Sequence, residues 1–245
     1  MQSVLITGAN RSIGLETARQ LSKKELFVYL GSRDLEKGRS AVDDLIRNGF
    51  ENVKPVEIDV TKPETLSAAR SLIEDERGKL DILISNAGVL GPPVQHAVDT
   101  PIEDIRHILD TNLFGNINAT RAFLNLLKLS ESPRISLITS GLASLTLHSD
   151  PSWRFYDVKQ VGYMASKAAL NAYTVTLAYE LKDLPFKVNA IDPGFTATDF
   201  NNHIGTGTVE SAAAFIIKHT LTGNDAPTGQ FFSNDIADTS GISPW

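Results

Sequence analysis

A tyrosine and a lysine stand four apart in "YMASKAALNAYTV", residues 163–175, a spacing that puts both on one helix face, a turn apart. Tyr163 can serve as a proton donor to a substrate oxygen, and Lys167 as the cation that tunes it. A free phenol titrates at about 10, and a neighbouring ammonium stabilises the phenolate and draws that value down. Alone, the pair also fits a plain amphipathic helix with two polar tips, because Tyr-x-x-x-Lys recurs by chance. A second chemical feature gives it weight: "TGANRSIG", residues 7–14, at the first strand-to-helix junction. A glycine turn there lets backbone N–H groups approach a pyrophosphate, with the helix N-terminus favouring its negative charge. An ordinary strand–helix turn looks similar, and the location at the first junction favours the phosphate reading.

Positioning these residues needs rigid elements. Short apolar runs lie at 3–8, 26–33, 53–60, 81–88, 134–140, 187–194 and 229–233. Most carry little polar alternation, as expected of parallel strands buried on both faces. Helical patterns separate them: one after Ser12, one from the cap Asp34 to Gly49, and one with Pro63 and Glu64 in its first turn and Gly78 at its end. Longer helices are predicted over roughly 101–129 and 160–183, and a last one over about 208–221. This alternation predicts an α/β fold: a single doubly wound parallel seven-stranded sheet of Rossmann type, with right-handed crossovers. No linker or repeat divides the 245 residues, so one domain is expected, with an aperiodic insertion loop at 141–160.

Composition narrows the function classes. With 42% hydrophobic residues the chain can build a sizeable core, and a net charge of −6 without basic runs argues against a nucleic-acid surface. The absence of cysteine excludes disulfides and thiol chemistry and fits a reducing compartment. No run approaches the roughly 20 apolar residues that cross a bilayer, so no membrane partner and a cytoplasmic location are expected. His96, His107, His148, His203 and His219 show no i, i+4 pairing, so no metal site is expected.

Taken together, these motifs resemble the classical short-chain dehydrogenase/reductase family, whose glycine motif is Thr-Gly-x-x-x-Gly-x-Gly. The chain matches at Thr7, Gly8 and Gly14 but carries Ser12 at the middle glycine. The resemblance implies that Gly8, Asn10, Arg11, Ser12, Ile13 and Gly14 hold the cofactor's phosphates. The departure at Ser12 implies altered affinity rather than lost binding. In "YLGSRD", Ser32 occupies the place where NAD-type members carry Asp, and Arg33 follows. Arg33 and Arg11 can converge on a 2′-phosphate, so the expected cofactor is NADP(H). Asp34 reads as a helix cap. By resemblance, Asp59 and Val60 border the adenine, and Asn86, Ala87 and Gly88 of "SNAG" let a ribose pass close to backbone.

At the chemical end, the resemblance places the family's serine at Ser140 in "ITSG", with Thr139 the neighbour it could be confused with. This serine lies 23 residues before Tyr163, where the family usually has about a dozen; the extra length is the 141–160 segment, expected beside the substrate mouth. Asn112 in "LDTNLFG" matches the asparagine that supports a water linked to the lysine. Pro193, Gly194, Phe195 and Thr198, with Thr196, match the segment lining the nicotinamide. The implied activity is that of the carbonyl reductase-like branch: Tyr163 donates a proton, Lys167 lowers its pKa and binds ribose, Ser140 orients a ketone or aldehyde carbonyl, and Asn112 supports reprotonation. Alternatives are an NADP-linked alcohol or steroid dehydrogenase working oxidatively, or a non-catalytic NADP(H) sensor. The expected partner is a small carbonyl or alcohol substrate, in a monomer or small homo-oligomer.

Overall fold

Side chains alternate across each strand, and that alternation builds two apolar layers on one sheet. The computed structural model describes residues 1–236 and 240–245. Among them, strands β1 (Ser3–Ile6), β2 (Phe27–Ser32), β3 (Val53–Glu57), β4 (Ile82–Ser85), β5 (Arg134–Ile138), β6 (Lys187–Asp192) and β7 (Phe231–Ser233) form a parallel sheet of order β3-β2-β1-β4-β5-β6-β7. This is the doubly wound Rossmann-type architecture read from the sequence.

Val4, Ile6, Val28, Leu30, Ile82 and Ile84 face helices α1 (Ser12–Lys23), α2 (Leu35–Arg47) and α8 (Val209–Thr220). Leu5, Tyr29 and Leu83 face the opposite layer. That layer contains α3 (Pro63–Arg77), α4 (Ile102–Leu109), α5 (Asn116–Leu127) and α7 (Val161–Glu180). The helix signals act as read. Asp34 caps α2 by accepting from the Lys37 N–H at 3.1 Å, Pro63 opens α3, and Gly78 ends it in the left-handed region at φ 70°.

Two expectations are refined. The helix predicted over 101–129 runs from Ile102 to Leu127 and changes winding on the way: Asp110–Gly115 is a π-helical stretch between α4 and α5. Asn112 lies in it and sends its side chain out to the loop after β4, a local break of the kind that marks functional positions. The 141–160 segment holds a 3₁₀ turn at Gly141–Ala143 and a single turn, α6 (Leu145–His148), followed by irregular chain. An aromatic chain pins that stretch: His148 against Trp153 at 4.6 Å between ring centroids, Trp153 against Phe155 at 5.4 Å, and Phe155 against Phe195 at 5.6 Å.

The apolar runs outlast their strands. Residues 7–8, 86–88, 139–140 and 193–194 leave the sheet at its carboxyl edge, and these overhangs hold most of the residues with chemistry. The order reverses between β1 and β4, which opens a crevice there; open α/β sheets bind ligands at such a point. Among the described residues no helix is long and apolar enough to cross a membrane, and no cluster of three acidic or histidine side chains could hold a metal.

Candidate active site

The glycine turn is built for close approach. Gly8 sits at φ +64°, and a Cβ there would lie 3.0 Å from the Ala87 Cα. A Cβ on Gly14 would lie 2.7 Å from both the Gly8 carbonyl oxygen and Asn86 Nδ2. The turn is locked from β4: Thr7 Oγ1 accepts from the N–H groups of Asn86 and Ala87, each at 3.0 Å. Asn86 Nδ2 in turn donates to the carbonyls of Thr7 and Gly8, each at 3.0 Å. Asn86 therefore holds the turn with its side chain. Thr7, absent from the expected contact residues, is the other half of the lock.

No side chain caps α1 at Arg11, so the first-turn N–H groups are left for an external acceptor, which is the cradle a pyrophosphate fits. Asn10 and Ile13 flank the turn; Ile13 also packs toward the core, and its carbonyl accepts from Thr17 Oγ1 at 2.7 Å.

Ser12 adopts φ +51°, in the left-handed region where a side chain is disfavoured. That explains physically why a glycine suits this position. Ser12→Gly is expected to keep cofactor binding and to hold or raise stability by up to about 1 kcal/mol, because relief of left-handed strain outweighs glycine's unfolded-state entropy. A thermal melt and a cofactor titration check it. A lost affinity would mean that the Ser12 hydroxyl is itself a ligand.

Each of the two arginines lies near a carboxylate. Arg11 pairs with Asp199, from the segment after β6, at 3.5 Å, and both are largely exposed. The exposed Arg33 lies close enough to Asp59 to favour its carboxylate. Asp59 is desolvated, yet hydrogen bonds from the Thr61 hydroxyl and N–H and the charges of Lys62 and Arg33 hold its carboxyl below the usual value. The Val60 side chain is buried in the core, against Gly115, so only its backbone is free to border a ligand.

The second cluster gathers at the ends of β4, β5 and β6. Lys167 Nζ is buried and donates to the Ile138 carbonyl at 2.8 Å, 5.9 Å from the centroid of the Tyr163 ring. Ser140, not Thr139, faces the phenol: its hydroxyl favours the Tyr163 phenolate, whereas Thr139 Oγ1 turns back to the Lys167 carbonyl at 3.5 Å. The Tyr163 ring lies 5.9 Å from the exposed ring of Phe200.

Burial dominates both ionisations. It pushes the Tyr163 phenol well above its usual value, with Ser140 pulling down and the Asp192 carboxylate adding to the rise. It lowers Lys167 to about 8, opposed by Asp192. In the protein alone desolvation of the phenolate is the largest influence, so the phenol is raised rather than lowered.

Asn112 is wholly buried. Its Oδ1 accepts from the Val89 N–H at 2.8 Å, and its Nδ2 donates to Val89 O at 2.9 Å and Ser166 Oγ at 3.0 Å. Its side chain clamps the loop after β4. Gly88 fits between it and the lysine: a Cβ there would lie 3.3 Å from Asn112 Oδ1 and 3.5 Å from Lys167 Nζ. Pro193 leads into Gly194 at φ +83°. The Phe195 ring turns to Phe155, and its N–H donates to Asp235 at 3.1 Å. Thr196 Oγ1 donates to the Gly194 carbonyl at 3.1 Å, and Thr198 forms a capping box with Asn201.

Two buried residues of this cluster, Gln95 and Asp192, carry no local sequence signal. Gln95 Oε1 accepts from the Tyr163 N–H at 3.0 Å, which caps α7 from 68 residues away, since Gln160 supplies no side-chain cap. Asp192, the last residue of β6, accepts from the Gly194 N–H at 3.0 Å and from Ser233 Oγ at 2.6 Å.

The chain matches the family model for short chain dehydrogenases over residues 2–208. It is 30% identical to salutaridine reductase of Papaver bracteatum over 295 aligned positions, covering 95% of this chain and 94% of that one. It is also 30% identical to (+)-neomenthol dehydrogenase of Capsicum annuum, covering 93% and 94%. Among solved structures, salutaridine reductase from Papaver somniferum superposes with a TM-score of 0.82 at 29% identity, covering 96% of this chain and 100% of that one. The structure of ElxO with NADP bound superposes with a TM-score of 0.81 at 25% identity, covering 95% and 96%.

Proposed function

The chain belongs to the short chain dehydrogenase family, an oxidoreductase family, and from that premise we propose that it reduces a ketone or aldehyde to an alcohol with NADPH. The observation that carries the reading is the buried Tyr163 phenol, facing the Ser140 hydroxyl and one helical turn from Lys167, its pKa raised by burial. A phenol above its usual value stays protonated at neutral pH, which is the form a proton donor to a carbonyl needs.

Gly8, Asn10, Arg11, Ser12, Ile13 and Gly14 would hold the pyrophosphate on the uncapped start of α1. Arg11 and Arg33 would meet the 2′-phosphate, and Asp59 with the Val60 backbone would border the adenine. Asn86, Ala87 and Gly88 let the ribose lie on backbone, with Lys167 close behind Gly88. Pro193, Gly194, Phe195, Thr196 and Thr198 would flank the nicotinamide. Bound NADPH supplies the hydride.

Ser140 hydrogen-bonds the carbonyl oxygen and holds it beside the phenol. Tyr163 gives its proton to that oxygen as negative charge develops there. Lys167 favours the phenolate left behind, and Asn112 holds the loop that fixes Lys167's surroundings. The exposed apolar side chains Leu145, Phe200 and Ile204, on the segments following Ser140 and Gly194, suit an apolar carbonyl compound. The whole chain, 1–245, is proposed as one NADP-binding unit with the 141–160 insertion beside the substrate.

The test is cofactor oxidation with NADPH and NADH in parallel against aldehydes, ketones and diketones. NADPH is expected to be preferred by at least about tenfold in kcat/KM, as one charge-assisted contact is worth roughly 1.5–3 kcal/mol. In the Arg11→Ala, Arg33→Ala double variant that preference is expected to collapse. Equal use of both cofactors by the wild type would overturn the assignment of the arginines. NADPH binding without turnover on any carbonyl, followed by oxidation of alcohols with NADP, would favour the oxidative reading.

A further inference from the structure

We propose that Gln95 is a positioning residue for this reaction: it closes the first turn of α7 from outside the helix and so sets where the Tyr163 phenol stands. The inference rests on the reading of Tyr163 as proton donor.

Tyr163 lies in the first turn of α7, the part of a helix that its own hydrogen bonds hold least. Three features leave this turn weak by itself. Gln160, at the cap position, has extended backbone at φ −130° but lends no side-chain oxygen to the N–H groups after it. Gly162 adds the backbone freedom of glycine. No acidic side chain in the turn meets the positive end of the helix.

Gln95 supplies what the turn lacks. Its backbone carbonyl accepts from the Val161 N–H at 3.1 Å, and its Oε1 accepts from the Tyr163 N–H at 3.0 Å. Two N–H groups of the first turn thus end on one residue of a distant loop. Glycine is what permits the approach: a Cβ on Gly162 would lie 3.1 Å from Gln95 Oε1 and 2.8 Å from Ile108 Cδ1 of α4.

The other end of the amide is fixed as firmly. Nε2 donates to the carbonyls of Leu90 at 2.8 Å and Pro92 at 2.9 Å, and Gln95 is 1% exposed. These bonds tie the 90–95 loop to itself just beyond Val89, which Asn112 clamps. An amide suits both tasks, because it donates at one end and accepts at the other. A line of contacts therefore runs from Gly88, beside Lys167, through the loop after β4 to the backbone of Tyr163.

The consequence is one of position. Proton transfer needs the phenol within hydrogen-bond reach of the carbonyl oxygen, and a displacement of about 1 Å costs on the order of 10²-fold in rate. The rest of α7 does not depend on its first turn: Leu170, Leu177 and Ala178 bury it in the core further along. Loss of the Gln95 amide is therefore expected to move Tyr163 without unfolding the domain.

Gln95→Met keeps the length of the side chain and removes the amide. The protein is labelled with 3-fluorotyrosine, and Tyr163→Phe assigns which of the five tyrosines gives which fluorine signal at this site. In cofactor-free Gln95→Met the Tyr163 signal is expected to shift or broaden while the remaining signals stay in place. In the unlabelled, NADPH-loaded enzyme kcat falls by about ten- to a hundredfold, and KM for the carbonyl moves by less than about threefold. Gln160→Ser offers a rescue, since a cap hydroxyl can accept from the same Tyr163 N–H. Added to Gln95→Met, it is expected to bring the fluorine signal back and recover most of the lost kcat. A folded Gln95→Met protein with either the signal or kcat unmoved would make Gln95 a loop brace only and overturn the proposal. A double variant whose signal stays displaced would overturn it too. If Gln95→Met does not fold, the double variant decides: folding with the Tyr163 signal in place supports the role, and a chain that stays unfolded overturns it. A wild type that reduces no carbonyl would sink the proposed activity, with the fluorine signals of the two variants still judging Gln95.

Discussion

Tyr163→Phe is expected to cut kcat for carbonyl reduction by about 10²- to 10⁴-fold, the range a positioned general acid contributes, while the NADPH dissociation constant moves by less than about threefold. The substitution removes one oxygen from a ring whose placement does not depend on it. The backbone of residue 163 is held by Gln95, and the ring lies beside Phe200. Ser140 keeps its hydroxyl and the glycine turn is untouched, so binding and carbonyl orientation persist while the proton source is lost. Single-turnover cofactor oxidation and a fluorescence titration of NADPH separate the two effects. Loss of binding in step with loss of rate would mean that the phenol serves the cofactor rather than the carbonyl.

Lys167→Met is expected to lower kcat by about 10²-fold or more and yet to melt higher than the wild type at neutral pH. The folded state holds Lys167 at about 8 against an ordinary 10.5. The native chain therefore binds fewer protons than the unfolded chain between those values. The burial penalty is complete below pH 8, and stability climbs as pH rises from about 8 to 10.5. At roughly 1.4 kcal/mol per pKa unit the relief is on the order of 3 kcal/mol. Loss of the hydrogen bond to Ile138 O takes back about 1 kcal/mol. With roughly 2–4 °C per kcal/mol for a chain of this size, a rise of several degrees is expected, and the alkaline gain in stability should flatten in the variant. A Met variant that melts lower at pH 7 would mean that the ammonium is a net structural asset. A higher melting point with lost activity is the trade-off expected of a charge buried for function.

The residues that carried the sequence reading are those whose signal is local. Tyr163 and Lys167 sit at a helical spacing, and Gly8 and Gly14 are the two points of one turn where a Cβ would crowd its neighbours. Asp34 and Gly78 are caps with familiar chemistry, and the strands announce themselves as apolar runs. What stayed illegible depends on residues far apart in the chain. Asn86 was read only as a ribose neighbour, and nothing local showed that its amide also ties Thr7 and Gly8 across the β1–β4 gap. Phe195 follows the expected Pro-Gly turn, yet its ring is drawn to Phe155 of a segment with no periodicity to read. Gln95 and Asp192 had no motif, because a cap supplied from another loop and a carboxylate shared by three strand ends exist only after folding. Ser12 was seen as a departure from a pattern; only its positive φ explains what the glycine would relieve. The π-helical turn at Asn112 was hidden because a helix with one extra residue in a turn keeps nearly the same apolar periodicity.

The central claim is that a hydride passes from NADPH to a carbonyl carbon at the Tyr163–Lys167–Ser140 end of the sheet. The most direct measurement uses NADPH dideuterated at C4 of the nicotinamide, with the ketone or aldehyde that turns over fastest, and mass and NMR analysis of the alcohol. One deuterium on the carbinol carbon of each product molecule, formed by the wild type and nearly abolished in Tyr163→Phe, is the expected result. An alcohol with only protium at that carbon, or cofactor oxidation that proceeds equally without any carbonyl compound, would contradict the account.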